Sequence, residues 1–158
     1  MEPRLNPFAS AVMGKAFKHL IAANQAVGES ALPYTVQELV RMRVSQINGC
    51  GACIDMHYKE AVHAGEDPVR LALVAAWRET TVFTEAERAA LELAEEGTRL
   101  ADAAGGVSDE VWENAAKHYD EEQLAALVTV ITLINAFNRA NVMIRQPGGS
   151  YEVGMYQH

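Results

Sequence analysis

Residues 38–57 read "ELVRMRVSQINGCGACIDMH", and the way this stretch folds back on itself decides the architecture. Val36, Leu39, Val40, Val44 and Ile47 recur at helical spacing, which predicts a helix over 36–47. Asn48-Gly49 breaks the pattern. A second helix is expected over 51–64, closed by Gly65 as a glycine just past its end. Glu38 lies about ten residues before the turn and His57 about eight after it, so at ~1.5 Å per residue the two come within a few ångströms of level.

The chain has only two cysteines, Cys50 and Cys53, and His57 follows. On a helix Cys53 and His57 stand about 40° apart, with Cys50 beside them. Side chains lean towards the helix N-terminus, so the His57 ring reaches back over Cys53. Free backbone N–H groups in the first turn, the helix dipole and a neighbouring imidazole each favour a thiolate. The spacing also lets the two sulfurs join. This is the design of a reversible dithiol: one thiolate takes an oxygen from a peroxide, the other thiol condenses with the resulting sulfenic acid. A zinc site needs a fourth ligand, and His63 lies about 120° around the helix from His57 and roughly 9 Å further along it. No metal is therefore expected, and no other cofactor. A fixed structural disulfide stays open as a third reading. Glu38, if level with His57, can orient it or pass protons to the thiols. The alternative is a surface glutamate, of which the chain has many. His19, His63, His118 and His158 have no such partners and read as surface or core residues.

Outward from this segment the chain reads as helical throughout. A first helix is expected over 8–26, broken by "VGESALP". Asp67-Pro68 opens a helix to about Trp77. Thr84 and Glu87 form a capping box ahead of a helix to about 102. Ser108 or Asp109 caps a short helix to about 118, and Asp120 with Gln123 opens a long one to about 144. The tail "QPGGSYEVGMYQH" carries turn chemistry. The fold class is all-α, one domain over 1–158, with six to seven helices, a core at about 30–145 and a tail at 146–158. The last long helix carries Thr132, Asn135, Asn138 and Arg139 as a polar stripe, which predicts a hydrogen-bonded seam or, alternatively, a pocket wall.

Composition narrows the partners. A net charge of −8 and a pI near 5.1 argue against nucleic acid and against anionic lipid. The start has no secretory signal pattern. The apolar run Leu124–Ile134 is too short to span a bilayer and contains Thr129 and Thr132, so no membrane helix is expected. A cytoplasmic location follows, where such a cysteine pair is more often redox-active or metal-binding than a permanent staple.

A glutamate twelve positions ahead of Cys-x-x-Cys-x-x-x-His resembles the core motif of the alkyl hydroperoxidase D-like family, within the carboxymuconolactone decarboxylase superfamily. Glu38, Cys50, Cys53 and His57 match it position for position, and "AWRETTVFTEAERAALELAEEGTRL" (76–100) and "VITLINAFNRANV" (130–142) resemble segments of its short members. The resemblance spans roughly residues 30–145. It implies an all-α helical bundle that assembles as trimers or hexamers, and peroxidase activity through a dithiol–disulfide cycle. By that resemblance Cys53 attacks a hydroperoxide. Cys50, the more exposed thiol, resolves and meets a thiol or lipoyl-bearing reductant, while His57 and Glu38 handle protons. Some members carry a second histidine between the cysteines; here that place holds Ala52. Two other functions remain open. One is a decarboxylase-like enzyme on a small cyclic acid, held by Arg139 with Asn135 or Asn138. The other is a non-enzymatic redox sensor or disulfide-exchange module. The apolar last helix and the tail are candidates for a subunit boundary.

Overall fold

The helix signals map onto real helices one by one. In the structure, a computed structural model that describes residues 2–155, these are α1 (Ala11–Gly28), α2 (Tyr34–Asn48), α3 (Gly51–His63), α4 (Pro68–Leu73), α5 (Glu85–Thr98), α6 (Asp109–Ala116) and α7 (Glu121–Ile144). No strand occurs among the described residues. The reading of His158 lies outside the described residues, as does the end of the tail.

The boundaries follow local chemistry. Gly49 takes φ 68° at the end of α2, a left-handed conformation that glycine adopts without the Cβ clash. The chain therefore turns within two residues, and Cys50 becomes the cap of α3. At the far end of α3, Gly65 has φ 97°, its N–H reaches Val62 O, and the N–H of Glu66 reaches Ala61 O. That pair of bonds is a Schellman closure. Thr84 with Glu87, and Asp120 with Gln123, form reciprocal capping boxes. Asp67 caps α4 ahead of Pro68, and Ser108, rather than Asp109, caps α6.

Three expectations shift. The first α-helix begins at Ala11, because Asn6 and Pro7 start a separate 3-10 turn (Pro7–Ala9) and Ser10 then caps α1. The helix expected to reach Trp77 is α-helical only to Leu73 and continues as a 3-10 segment, Val74–Glu79, kinked at Ala76. In a 3-10 helix residues three apart eclipse, so Val74 and Trp77 turn into the core together. The helix expected to reach 102 ends at Thr98. Its buried hydroxyl accepts from Asn135 Nδ2 at 3.1 Å, and the chain then turns through the Arg99–Ala103 loop.

α2 is the central element, packed against α3, α5 and α7. Val36, Val40 and Val44 join α5, α6 and α7 in one apolar cluster. Leu39 and Met42 join Ala61, Leu71, Trp77 and Leu91 in a second. Its remaining face is polar and still buried: Glu38, Arg41 and Ser45. α7, 24 residues long, has the length and composition of a membrane span. Here it is a core helix, with Leu127 and Val130 fully buried. Each such side chain contributes about 1.5–3 kcal/mol.

The polar stripe of α7 divides. Asn135 and Asn138 face α2, while Thr132 and Arg139 are exposed. Asn138 donates to Ser45 Oγ at 3.1 Å, and Asn48 Nδ2 donates to Asn138 Oδ1 at 3.0 Å and Asn135 Oδ1 at 2.9 Å. The stripe is a packing seam and not a pocket wall. The tail packs on the chain's own α3. Asp55 accepts from the N–H groups of Gly149 and Tyr151 at 2.6 and 3.0 Å. Lys59 donates to Tyr151 O at 2.8 Å, and Glu60 accepts from the Tyr151 hydroxyl and from Gly154 N.

The seam yields a prediction. Asn138→Ala removes the donor to Ser45 and the acceptor for Asn48 at a site with no solvent access. Urea unfolding at neutral pH is expected to show a loss of about 2–3 kcal/mol; a change under about 0.5 kcal/mol, the range of ordinary surface substitutions, contradicts the seam.

Candidate active site

The turn at Gly49 and the antiparallel α2–α3 pair bring Glu38, Cys50, Cys53 and His57 together. Cys50 and Cys53 are joined as a disulfide, with their Cα atoms 5.4 Å apart. His57 sits one turn after Cys53, and its Nδ1 lies 2.9 Å from Glu38 Oε2. Glu38 is no surface glutamate: it is 3% exposed. Its other oxygen accepts from Arg41 at 2.6 Å, and Arg41 also donates to Asn24 Oδ1 at 2.9 Å. A continuous chain thus runs Asn24–Arg41–Glu38–His57 across α1, α2 and α3.

The electrostatics fix the states of this chain. Burial alone would raise the Glu38 carboxyl; His57 and then Arg41 outweigh it and hold the group below its ordinary value of 4.5. An ionised carboxylate only accepts hydrogen bonds, so Nδ1 of His57 carries the proton it shares with Glu38. That leaves Nε2 as the nitrogen turned away from Glu38.

The two cysteines are equally buried, at 2% exposure each, which corrects the expectation that Cys50 is the more exposed. Cys50 caps α3, and its sulfur turns inward to accept from Cys53 N at 3.3 Å. The tail then covers that corner: Gly148 lies so close to Gly51 that a Cβ on it would fall 2.4 Å from Gly51 O. The difference between the cysteines is of another kind. Cys53 lines a cavity of 540 Å³, together with His57, Arg41, Asn24 and Asn141, and Cys50 does not.

Asn141 is the residue that sequence reading missed. Its Nδ2 donates to Cys53 Sγ at 3.4 Å, from a position 88 residues away in the chain. It continues the face of α7 that carries Ile134 and Phe137, at steps of three and four, and that periodicity was the only signal available. Arg41 was missed for a similar reason, as one of several arginines. The cluster suggested for a carboxylate does not reach the cavity. Asn135 and Asn138 belong to the seam, and the Arg139 guanidinium donates to Asn135 Oδ1 at 2.8 Å. His19, His63 and His118 are exposed.

The profile of the carboxymuconolactone decarboxylase family matches residues 14–96. The Bacillus subtilis (strain 168) protein YdfG, itself uncharacterised, is 41% identical over 114 residues, 72% of this chain and 76% of that protein. Atu0492 from Agrobacterium tumefaciens is a solved protein of unknown function that carries the suggested name antioxidant defence protein AhpD. It superposes with a TM-score of 0.87 at 34% identity, covering 95% of this chain and all of that one. A peroxidase-related protein from Ralstonia eutropha JMP134, described as an alkylhydroperoxidase AhpD core, shares the fold at 18% identity. Its TM-score is 0.74, over 87% of this chain and 72% of that one. With its Glu38, Cys50-x-x-Cys53 and His57 brought to one site on an all-helical frame, the chain belongs to the carboxymuconolactone decarboxylase family as an AhpD-like member.

Proposed function

We propose that this protein is a thiol-dependent peroxidase that reduces hydroperoxides through the Cys50–Cys53 dithiol–disulfide cycle. The observation that carries this reading is the position of Cys53. Of the bonded pair it is the residue that lines the cavity, with His57 one turn on and the Asn141 amide donating to its sulfur.

The cycle starts from the reduced pair. His57 Nε2 accepts the Cys53 proton, directly or through one water, and Glu38 stabilises the imidazolium that forms. The thiolate attacks the terminal oxygen of the hydroperoxide: the S–O bond forms, the O–O bond breaks, and the alkoxide leaves with the electron pair. It takes the proton from His57 and departs as the alcohol, while the sulfur has lost two electrons to become a sulfenic acid. Cys50 then attacks that sulfur. The S–S bond forms, hydroxide leaves, and the Cys50 proton completes a water. Both thiol protons end in products, so the oxidative half needs no proton drawn from solvent past Ala52.

An external dithiol restores the pair by exchange, its two sulfurs ending as a disulfide. Because Cys50 is covered, the cavity in front of Cys53 is the open approach. A slender dithiol on a flexible arm, such as a lipoyl group carried by a protein, suits it. A reducing compartment such as the cytoplasm suits the cycle. Assembly of copies, as a trimer or hexamer, is carried by the family resemblance.

Two predictions test the reading. In a peroxide-consumption assay with dihydrolipoamide, Cys53→Ser is expected to abolish turnover. With no reductant added, Cys50→Ser should stop after one equivalent with a trappable sulfenic acid, and in the full assay His57→Ala should lose about 10²-fold or more. Undiminished turnover by Cys53→Ser would sink the proposal. The second concerns the ionised state the relay requires. The Glu38 carboxyl is depressed in the folded protein. The stability it adds is therefore present above its ordinary value of 4.5 and is lost as pH falls through the lower folded value. Glu38→Gln should lower the melting temperature at pH ~7 and flatten its decline in acid. A variant whose melting curve keeps the wild-type acid slope means that Glu38 is not ionised in the fold.

A further inference from the structure

Local helix geometry favours charge on Cys50, whereas the chemistry proposed above needs it on Cys53. Cys50 caps α3, and its Sγ accepts the Cys53 N–H at 3.3 Å. The first-turn N–H groups and the positive end of the helix dipole therefore stand closest to Cys50. By that rule alone Cys50 would carry the thiolate of the reduced pair. Yet the tail covers Cys50, and Cys53 is the cysteine that lines the cavity. Between the two stand Gly51 and Ala52, which offer no side-chain donor. Any bias towards Cys53 has to come from another element.

That element is α7. Asn141 Nδ2 donates to Cys53 Sγ at 3.4 Å. A disulfide sulfur carries no proton, so the amide meets it as a donor. In the oxidised state the acceptor is neutral and the bond is weak. Once the disulfide is opened and Cys53 has passed its proton to His57, the same N–H faces a full negative charge. A hydrogen bond to an ionised partner is roughly twice as strong as a neutral one. The donor gains strength as charge develops on the sulfur it touches, and it is in place beforehand.

The backbone beneath Asn141 is held on every side. It lies in the last turn of α7, where the negative end of a helix ordinarily opposes an anion. Here the last four carbonyls are all met. Asn141 O accepts from Gln146 N–H at 2.9 Å and Val142 O from Arg145 N–H at 3.2 Å. Met143 O accepts from the Arg4 guanidinium at 2.9 Å and Ile144 O from Arg4 N–H at 2.7 Å. The N-terminal arm thus sets a cation at the negative end of α7, and the amide is what α7 presents to the sulfur. One turn earlier Phe137 packs on Phe17 of α1, with ring centroids 5.7 Å apart, and Phe17 on Phe8 of the arm at 6.1 Å. This aromatic wall fixes α7 against α1 and makes the surroundings of the bond apolar. A dipole there acts on a charge with less screening than in water.

We propose that Asn141 is a catalytic residue that selects Cys53, rather than Cys50, as the thiolate of the reduced pair. This deepens the peroxidase reading above and rests on it for the electrophile that the thiolate attacks. Asn141 gives up no proton and takes none; it acts through its N–H dipole, while His57 receives the Cys53 proton.

The test reads each sulfur separately in the reduced protein. In Cys50→Ser, alkylation by iodoacetamide at neutral pH reports the Cys53 thiolate. Adding Asn141→Leu, similar in size but without a donor, is expected to slow it about tenfold, the effect of losing one charge-assisted hydrogen bond. Asn141→Asp sets a carboxylate against the sulfur and should slow it further. The ultraviolet absorbance of the Cys53 thiolate should appear at progressively higher pH in the same order. In Cys53→Ser, alkylation of Cys50 should be unchanged by either substitution. Asn141 is partly exposed, so both variants are expected to fold. Unchanged alkylation at Cys53, or an equal fall at Cys50, overturns the inference while the peroxidase reading stands. With both cysteines present, peroxide consumption with dihydrolipoamide should fall in parallel with the Cys53 rate. A wild-type protein that consumes no peroxide, in which Cys53 alkylation still depends on Asn141, overturns the peroxidase reading and supports the assignment of the thiolate.

Discussion

An ionised carboxylate with 3% of its surface in solvent is tolerated only if its lone pairs are met by cations and donors. Glu38 imposes that condition on the packing around it. α2 answers with Arg41 one turn on, α3 with His57, and α1 with Asn24 as the second partner of Arg41. These three helices cannot slide relative to one another without stranding a buried charge. The register of α2 against α3 is therefore fixed twice, by the glycine turn between them and by the ion pair further along. The same constraint that orders the helices holds the imidazole in one tautomer and one orientation beside the sulfur.

α7 is the counterpart of this arrangement and does three things on three faces. Leu127 and Val130 fill the core, Asn135 and Asn138 lock onto α2, and Ile134, Phe137 and Asn141 form a wall of the cavity. Its long apolar character alone would fit a core helix or a membrane span. The buried amides, bonded to Asn48, Ser45 and Thr98, give it its place in the protein. The chain ends contribute too. The N-terminal arm is tied to the end of α7 by Arg4, and the tail to α3 by Asp55, Lys59 and Glu60. The site sits between elements that are adjacent in space and far apart in sequence.

That distance explains what could be read from the sequence. Caps, breaks and the Glu38–His57 level were legible because each depends on a few neighbouring residues or on helix rise across a single turn. That the two cysteines lie close enough to bond was legible from their spacing. Asn141, Arg41 and the aromatic wall were not, since a contact between Cys53 and Asn141 spans 88 positions and carries no local signature. The greater exposure expected of Cys50 failed for the same reason: the tail that covers it arrives from about a hundred residues away, through the close approach of Gly148 to Gly51. The 3-10 segment after Leu73 follows from tertiary demand as well, because Trp77 has to reach Glu95, which accepts its indole N–H at 2.9 Å.

The cysteines are separated by only three positions, and this has a consequence for what the bond between them contributes to the fold. A cross-link acts chiefly by restricting the unfolded chain, and it does so according to the loop it closes. Closing so small a ring contributes about 2 kcal/mol, against nearly 5 for a loop of about a hundred residues. Opening the bond therefore removes only that increment of chain restriction, while both side chains keep their places in the apolar cluster they share with α2, α5, α6 and α7. The cross-link thus adds less to the fold than one joining distant parts of the chain would.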